Sequence, residues 1–521
     1  MASTSSPVDN VQWTKYLRDV SSGRNTDAVV QQICIDNGLD ANASRPLILA
    51  VLNALAKVAP RSDDYVAPAA VQQQVATAVQ RHGERSAVVS PVVQAALAQQ
   101  LLHDESPLLN LFDWDAYTQR LENLCSAFPE PVFTHAVAVK ANPMRGILRE
   151  AQRRGLGAEC ASFAEAKHAL SLGVPPRKVV YDSPCKTEGE LREMLHAGVY
   201  INLDNEEEIQ KVARVLEGSD IPEAQVGLRI NPIVGGGSID ALSTATASSK
   251  FGVPWTHDTT ERLLALYEQH PWLQGVHVHV GSQGCPIDLL IAGAKRSVEF
   301  AKLVNARVGR QQIKVLDIGG GMPTVYDGGV KEAHDFHDYA NALRAQVPEL
   351  LSSGFTSIIT EFGRSIFVKP GLTVSKVEAL KDWAGQRIAV IHVGADQFPR
   401  TAYLPHLWSH CITALDRQGG VKSSDPSAFV RHDVAGPLCF SGDIMAKQVL
   451  LPNIETGDML VIHDSGGYTF SMFSKYNSRL AAAYYAYRRT SSGSIQFAKL
   501  KDRETPEEAL AFWGIDTAVE F

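Results

Sequence analysis

Residues 133–205 read FTHAVAVKANPMRGILREAQRRGLGAECASFAEAKHALSLGVPPRKVVYDSPCKTEGELREMLHAGVYINLDN, and their rhythm decides the fold. Short apolar runs (FTHAVAVK, LGAECAS, KVVYDS, VYINLDN) alternate with longer amphipathic stretches. The first kind suits strands and the second suits helices. Beyond residue 205 the alternation continues through VGLRINP, GVHVHVGS, KVLDIGGG and TSIITEFGR. Helical candidates fall at 187–197, 206–216, 260–268 and 287–306. Eight strands alternating with helices imply parallel pairing, and closure into an α/β (β/α)8 barrel is the economical solution. A doubly wound open sheet is the alternative.

On either side of this core the pattern changes. Residues 1–105 read as an N-terminal helical extension, with LILAVLNALAKV (47–58) and VVSPVVQAALAQQLL (88–102) as its helices. It carries no catalytic constellation, and its expected role is to cover the barrel or a subunit contact. The barrel is assigned to 106–389. From 390 to 521, runs such as DMLVIHDS and IQFAKL are separated by Gly/Pro-rich turns and read as a mostly β domain.

Composition narrows the function classes. The net charge is −8 and no long basic run occurs, which argues against nucleic-acid or anionic-membrane partners. No apolar stretch approaches the roughly 20 residues needed to span a bilayer. The start, MASTSSPVDN, lacks both the apolar core of a signal peptide and the arginines of a transit peptide. The seven cysteines are scattered and odd in number, so neither a disulfide framework nor a zinc site is indicated. A cytoplasmic, reducing compartment fits this pattern.

The residues with chemical potential sit at the carboxyl ends of the proposed strands, where such a barrel builds its active site. Lys140 ends the first run, and desolvation there is expected to lower its pKa and favour an imine-forming amine. Gly319, Gly320 and Gly321 let backbone N–H groups approach a phosphate without Cβ obstruction. Ser282 adds a hydroxyl, and Arg364 offers a cationic fork to the same phosphate. His277 and His279 lie two apart and share a face, toward the barrel interior. As metal ligands they lack a nearby carboxylate or cysteine to complete a set, so no metal is expected; an imidazole stacked on a flat cofactor suits one of them better. Glu361 ends the eighth run, placed to pair with a pyridinium nitrogen and keep the ring an electron sink.

In this order the motifs resemble those of the ornithine, arginine and diaminopimelate decarboxylases, which share the alanine-racemase-type barrel. They are AVKANP (138–143), ECAS (159–162), SPCK (183–186), SKFG (249–252), HVGSQ (279–283), DIGGG (317–321), EFGR (361–364), GPLC (436–439) and GGYTFSMFSKYNSR (466–479). The resemblance implies a pyridoxal 5′-phosphate enzyme that decarboxylates an amino acid. It implies that Lys140 carries the cofactor as a Schiff base, that His279 stacks on the ring, and that Glu361 pairs with its nitrogen. It assigns the phosphate to Ser282, Gly320, Gly321, Arg364 and Tyr468. It also implies a homodimer with shared sites, in which Cys439 protonates the product across the interface. A β strand near 87–109 is expected to join the C-terminal domain.

Two departures stand out. Phe362 replaces the family's usual proline, and Phe440 replaces the acidic residue that follows the reactive cysteine and meets the substrate's distal ammonium. Phe440 argues against ornithine and diaminopimelate as substrates. An apolar or aromatic distal group would fit, or a longer cation reaching Asp443. Alternatively Arg400 and Tyr403 grip a distal carboxylate, or Asp396 takes over the lost acid's role. The rival readings are an amino-acid racemase on the same barrel and a non-catalytic decarboxylase-like regulator. Racemases place an arginine at the ring nitrogen, against which Glu361 stands.

Overall fold

The computed structural model describes residues 69–514 except 220, 222–223, 330–333 and 384, together with parts of the first 49 residues, chiefly 26–37. All eight expected runs form barrel strands: β2 (Phe133–Ala138), β3 (Gly157–Cys160), β4 (Val179–Asp182), β5 (Tyr200–Leu203), β6 (Val226–Asn231), β8 (Leu273–His277), β9 (Val315–Asp317) and β10 (Ser357–Thr360). A two-residue strand, β7 (Val253–Pro254), flanks β6. Pairing runs β5-β4-β3-β2-β10-β9-β8-β6, and β5 also pairs β6, so the parallel sheet closes. Closure leaves none of the eight ring strands as an open edge.

The outer helices follow from spacing. In Ile287–Val308 the buried positions include Leu290, Ile291, Ala294, Val298, Ala301 and Val304, one stripe at a helical period facing the strands. Side-chain caps fix where several of the helices begin after their strands. Ser162 Oγ accepts the Glu165 amide at 3.2 Å, and Asn205 Oδ1 accepts the Glu208 amide at 3.0 Å.

The second sheet is mostly antiparallel and gathers strands from both ends of the chain. β1 (Leu108–Asp113) pairs antiparallel with β11 (Gly371–Trp383) and parallel with β17 (Ala483–Arg489). Around these lie β12 (Gln386–Ile391), β13 (Ile412–Leu415), β14 (Phe429–Ala435), β15 (Ile444–Pro452), β16 (Met459–Ile462) and β18 (Ile495–Lys501). The division drawn at 389/390 is therefore corrected. β11 already belongs to this sheet, because its buried apolar residues pair with β1 and β16 rather than with the barrel. The change is marked by the turn Val368–Pro370 and the Pro370-Gly371 step just before β11, not by the end of the apolar runs at residue 389. The strand expected within 87–109 is β1, which starts only at Leu108; residues 87–98 are helical.

The extension supplies two described helices, α1 (Thr26–Asn37) and α2 (Ala69–Ala98); the helix expected at 47–58 lies almost entirely outside the described residues. α2 packs on the second sheet. Val89, Val92, Val93 and Ala96 join one core with Leu109, Leu111, Leu372, Leu415 and Val461. Each valine so buried contributes about 1.5–3 kcal/mol. Polar pins fix the register: Ser90 Oγ donates to Gly419 O at 2.7 Å, and His82 Nε2 accepts the Ala414 amide at 3.1 Å.

Candidate active site

The strand β2 ends at Ala138, and a 3-10 turn over Val139–Ala141 turns Lys140 into the barrel mouth. Its Nζ lies 2.6 Å from both carboxylate oxygens of Glu159, at the end of β3. Glu159 is wholly buried, while the lysine side chain stays 37% exposed and so open to a reactant. Burial alone would lower the lysine pKa. The carboxylates of Glu159, Glu361 and Asp182 outweigh it and hold the ammonium above its ordinary range. The expectation of a lowered pKa is thus reversed, because the sequence reading counted desolvation and not the facing acids.

Across the mouth, Glu361 follows β10 and is 3% exposed, yet neither carboxylate oxygen has a hydrogen-bond partner. Its Oε2 is 3.6 Å from His277 Nε2 and 3.6 Å from His279 Nδ1. Burial would raise this carboxyl; His277, His279 and Lys140 outweigh it and hold Glu361 well below the usual carboxylate range. A buried polar atom without a partner costs about 1–3 kcal/mol. An ionised carboxylate left bare in this way fits a cationic ring nitrogen.

His277 and His279 do share the interior face. His277 is fully buried, and its Nδ1 lies 3.6 Å from Asp182 Oδ1, whose other oxygen accepts Arg229 Nη1 at 3.2 Å. His279 is 19% exposed at the mouth. Burial lowers its pKa, and its Nδ1 accepts the Gly320 amide at 3.2 Å, the arrangement of a neutral ring. Asp182, His277 and Glu361 offer three ligand atoms within 4.8 Å of one another. The statement that no carboxylate accompanies the histidines is therefore corrected: the acids come from other strands, which spacing along one strand does not reveal. The bare Glu361 oxygens beside a lysine suit an organic cation as well as an ion.

The residues expected to hold a phosphate meet at the ends of β8 and β9, in a glycine-lined recess. A Cβ on Gly320 would stand 2.2 Å from Glu361 O, and one on Gly321 would stand 2.4 Å from Gly281 O at a φ of +108°. Only glycine fits at either place. Arg364 Nε donates to Ser282 Oγ at 3.1 Å and its Nη1 to the Tyr326 hydroxyl at 2.5 Å. The Arg364 guanidinium stacks over the Tyr468 ring at 4.4 Å. Tyr468 adopts a φ of 56°, and its amide donates to Ala141 O at 3.0 Å, tying it to the Lys140 turn. Ser282, Gly320, Gly321, Arg364 and Tyr468 thus converge.

The family model for the pyridoxal-binding domain of pyridoxal-dependent decarboxylases matches residues 116–368. A diaminopimelate decarboxylase of Helicobacter pylori is 30% identical over 370 residues, covering 71% of this chain and 87% of the relative. One from Vibrio cholerae is 31% identical, covering 69% and 83%. The chain belongs to the pyridoxal-dependent decarboxylase family. Among solved structures, the H. pylori diaminopimelate decarboxylase complexed with L-lysine aligns with a TM-score of 0.68 at 26% identity, covering 78% of this chain and 96% of that one. Pyridoxal 5′-phosphate is accordingly the cofactor, and the enzyme is a carboxy-lyase. The glycine cradle and the bare Glu361 carboxylate fit it. Phe362 is accommodated at the family's proline position by Phe336 and Tyr339, with ring centroids 5.0 and 5.9 Å away.

The remaining expected residues lie in the second domain. Cys439 is exposed; its amide donates to Asn477 Oδ1 at 2.8 Å. Phe440 is 38% exposed and packs on Tyr403, ring centroids 5.5 Å apart. Asp443 is corrected as a substrate partner. It is buried, with Oδ1 accepting the Ala395 amide at 2.6 Å and Oδ2 the Leu438 amide at 2.8 Å, so it braces the loop 436–443. Asp396 is likewise buried, accepting the Gly394 amide at 2.8 Å. Arg400 stacks over Tyr468 at 4.8 Å and over Trp408 at 5.2 Å, and its buried Nη1 has no partner. Sequence reasoning assigned no role to Glu159, Asp182, Arg229, Tyr326 or Trp408. Glu159 was visible inside ECAS; the others reach the mouth from separate elements with no motif to mark them.

Proposed function

We propose that this enzyme decarboxylates an amino acid whose distal group is apolar or aromatic, in a homodimer whose two sites each borrow Cys439 from the other subunit. The observation that carries the decarboxylase reading is Glu361, buried and ionised with both oxygens bare, opposite Lys140. When bound, pyridoxal 5′-phosphate supplies the electron sink for the pair of electrons left when CO2 departs. Glu361 keeps that sink strong by holding a positive ring nitrogen, which an arginine, as in a racemase, would not do. Lys140 holds the cofactor through its amine, and Glu159, 2.6 Å away, takes the proton that the ammonium must first give up. His279 presents its face at the mouth. Ser282, Gly320, Gly321, Arg364 and Tyr468 hold the phosphate.

Cys439 delivers the final proton from its thiol. Cys439 is exposed on a loop of the second domain while Lys140 sits in the barrel mouth, which supports a shared site. The curated relatives act on diaminopimelate, but Phe440 and Tyr403 form an aromatic pair where the family carries an acid. Asp443 and Asp396 are both engaged with backbone amides, so neither replaces that acid. A second reading, a substrate with a distal carboxylate, rests on the unpartnered Arg400 Nη1. Seven free cysteines suit a cytoplasmic, reducing compartment.

Purified protein with pyridoxal 5′-phosphate is screened for CO2 release from single amino acids, with the amine identified by mass spectrometry. Borohydride should fix the cofactor on the peptide that holds Lys140; label elsewhere, or none, overturns the reading. Mixed Lys140→Ala and Cys439→Ala proteins should regain activity through hybrid dimers carrying one intact site. Proven subunit exchange without recovery refutes the shared site.

A further inference from the structure

The extension helix α2 reaches the back of the phosphate cup through one side chain. Arg85 Nη1 donates to the carbonyl of Asp327 at 3.0 Å and lies 3.7 Å from Cys411 Sγ. Cys411 Sγ in turn faces the Tyr326 carbonyl at 3.8 Å. The hydroxyl of Tyr326 accepts Arg364 Nη1, and Arg364 Nε reaches Ser282. A continuous path of contacts therefore runs from α2 through the loop 326–328 to the cup. Fit along it is close: at Gly328, φ +73°, an added Cβ would stand 2.6 Å from Arg85 Cδ.

On the inner side the Tyr326 ring packs edge-on against Trp408 and His410, ring centroids 5.5 and 5.3 Å away, while the outer side is open. A cavity of about 850 Å3, lined by Arg81 and Arg85 of α2 and by Asp327, Gly328, Lys369 and Asp464, opens on its outer side. The cavity touches none of Lys140, Glu361 or Arg364. Facing open space, the loop is held by pins: Arg85 on Asp327 O, Lys369 Nζ on Asp327 Oδ1 at 2.9 Å, and the Gly328 amide on Asp464 Oδ2 at 2.8 Å. Arg85 is also poorly explained as a docking residue. Its buried Nε has no partner, a cost to stability that an apolar side chain on α2 would avoid.

We propose that Arg85 is a positioning residue for the cofactor phosphate: α2 clamps the loop so that Tyr326 holds Arg364 in its phosphate-facing rotamer. This rests on the cofactor reading above. Removing the clamp weakens cofactor binding with less effect on the chemical step, because Arg85 touches no reacting group.

The test measures pyridoxal 5′-phosphate dissociation by visible absorbance of the Lys140-bound cofactor, alongside the melting temperature. Arg85→Ala is expected to weaken cofactor binding about tenfold, the loss of one well-placed hydrogen bond to a charged group. Arg85→Lys should recover most of it. Arg85→Met, which keeps the packed stem, serves if the alanine variant does not fold. Tyr326→Phe should weaken binding comparably. The double variant Arg85→Ala/Tyr326→Phe should be no weaker than Tyr326→Phe alone within about twofold, because both act on one path. A lowered melting temperature with cofactor affinity unchanged, or fully multiplicative losses in the double variant, overturns the proposal. Wild-type protein that binds no cofactor overturns the cofactor reading instead.

Discussion

At the barrel mouth Glu361, Asp182 and His277 are buried, brought from three different strands, and several of their polar atoms have no partner. On the loop 436–443 the arrangement is inverted: Cys439 and Phe440 stand exposed, and the buried acid beneath them, Asp443, has both oxygens engaged by backbone amides. The difference lies in what holds each region. A closed parallel barrel surrounded by helices is rigid enough to keep charges bare and desolvated until a ligand meets them. A surface loop satisfies itself first, and its exposed Cys439 thiol gains a dry environment only when another surface covers it.

The largest break in this contrast should come from Lys140→Ala. It removes the proposed covalent anchor at the mouth, and turnover should fall on the order of a thousandfold or more. Single-turnover CO2 release measures it, and near-normal rates would show that the anchor lies elsewhere. Next comes Glu361→Gln, which keeps shape and removes charge. The variant should still carry cofactor, while kcat drops about a hundredfold, as expected when one preorganised electrostatic contact is lost. An unchanged kcat would mean that the bare carboxylate serves only packing.

On the loop, Phe440→Glu should raise kcat/KM for cationic amino acids such as ornithine about tenfold, by restoring one charge-assisted hydrogen bond at a partly exposed position. Efficient wild-type turnover of ornithine or diaminopimelate, beyond that of the apolar set, would refute the specificity reading.

The smallest expected effect is on stability, and it extends the contrast to α2. Burial, aided by Arg85, lowers His82 from 6.5 to about 4. Between those values the unfolded chain binds the extra proton and the folded chain does not. The stability contribution is whole above pH 6.5 and is lost as pH falls toward 4, by up to about 3 kcal/mol. His82→Gln keeps an acceptor for the Ala414 amide without titrating. Its melting temperature should fall less between pH 7 and pH 4.5 than that of the wild type. Parallel acid slopes would show that His82 does not contribute. Other buried histidines titrate in both proteins and cancel in the difference.

Much of the barrel was legible because strand and helix periods differ, and each run announced its type locally. Lys140, Gly319–Gly321 and Glu361 could be read for the same reason, since a strand's end is where a barrel places its chemistry. The reversed pKa of Lys140 was not legible. It depends on Glu159, nineteen residues later, and on Asp182 and Glu361, farther still, meeting at one point. Asp443 was misread because an acid three residues beyond Phe440 looks available; the turn that folds it inward is set by the amides of Ala395 and Leu438.

By itself the sequence determined the order of elements, the barrel and the motif residues along its rim, since periodicity and turn chemistry act within about ten residues. Only the tertiary structure decided that β11 joins the second sheet, that three acids surround one lysine, and that Arg85 of α2 ties to the loop 326–328. Those facts depend on pairings between residues far apart in the chain, and on burial that turns weak local charges into strong mutual ones.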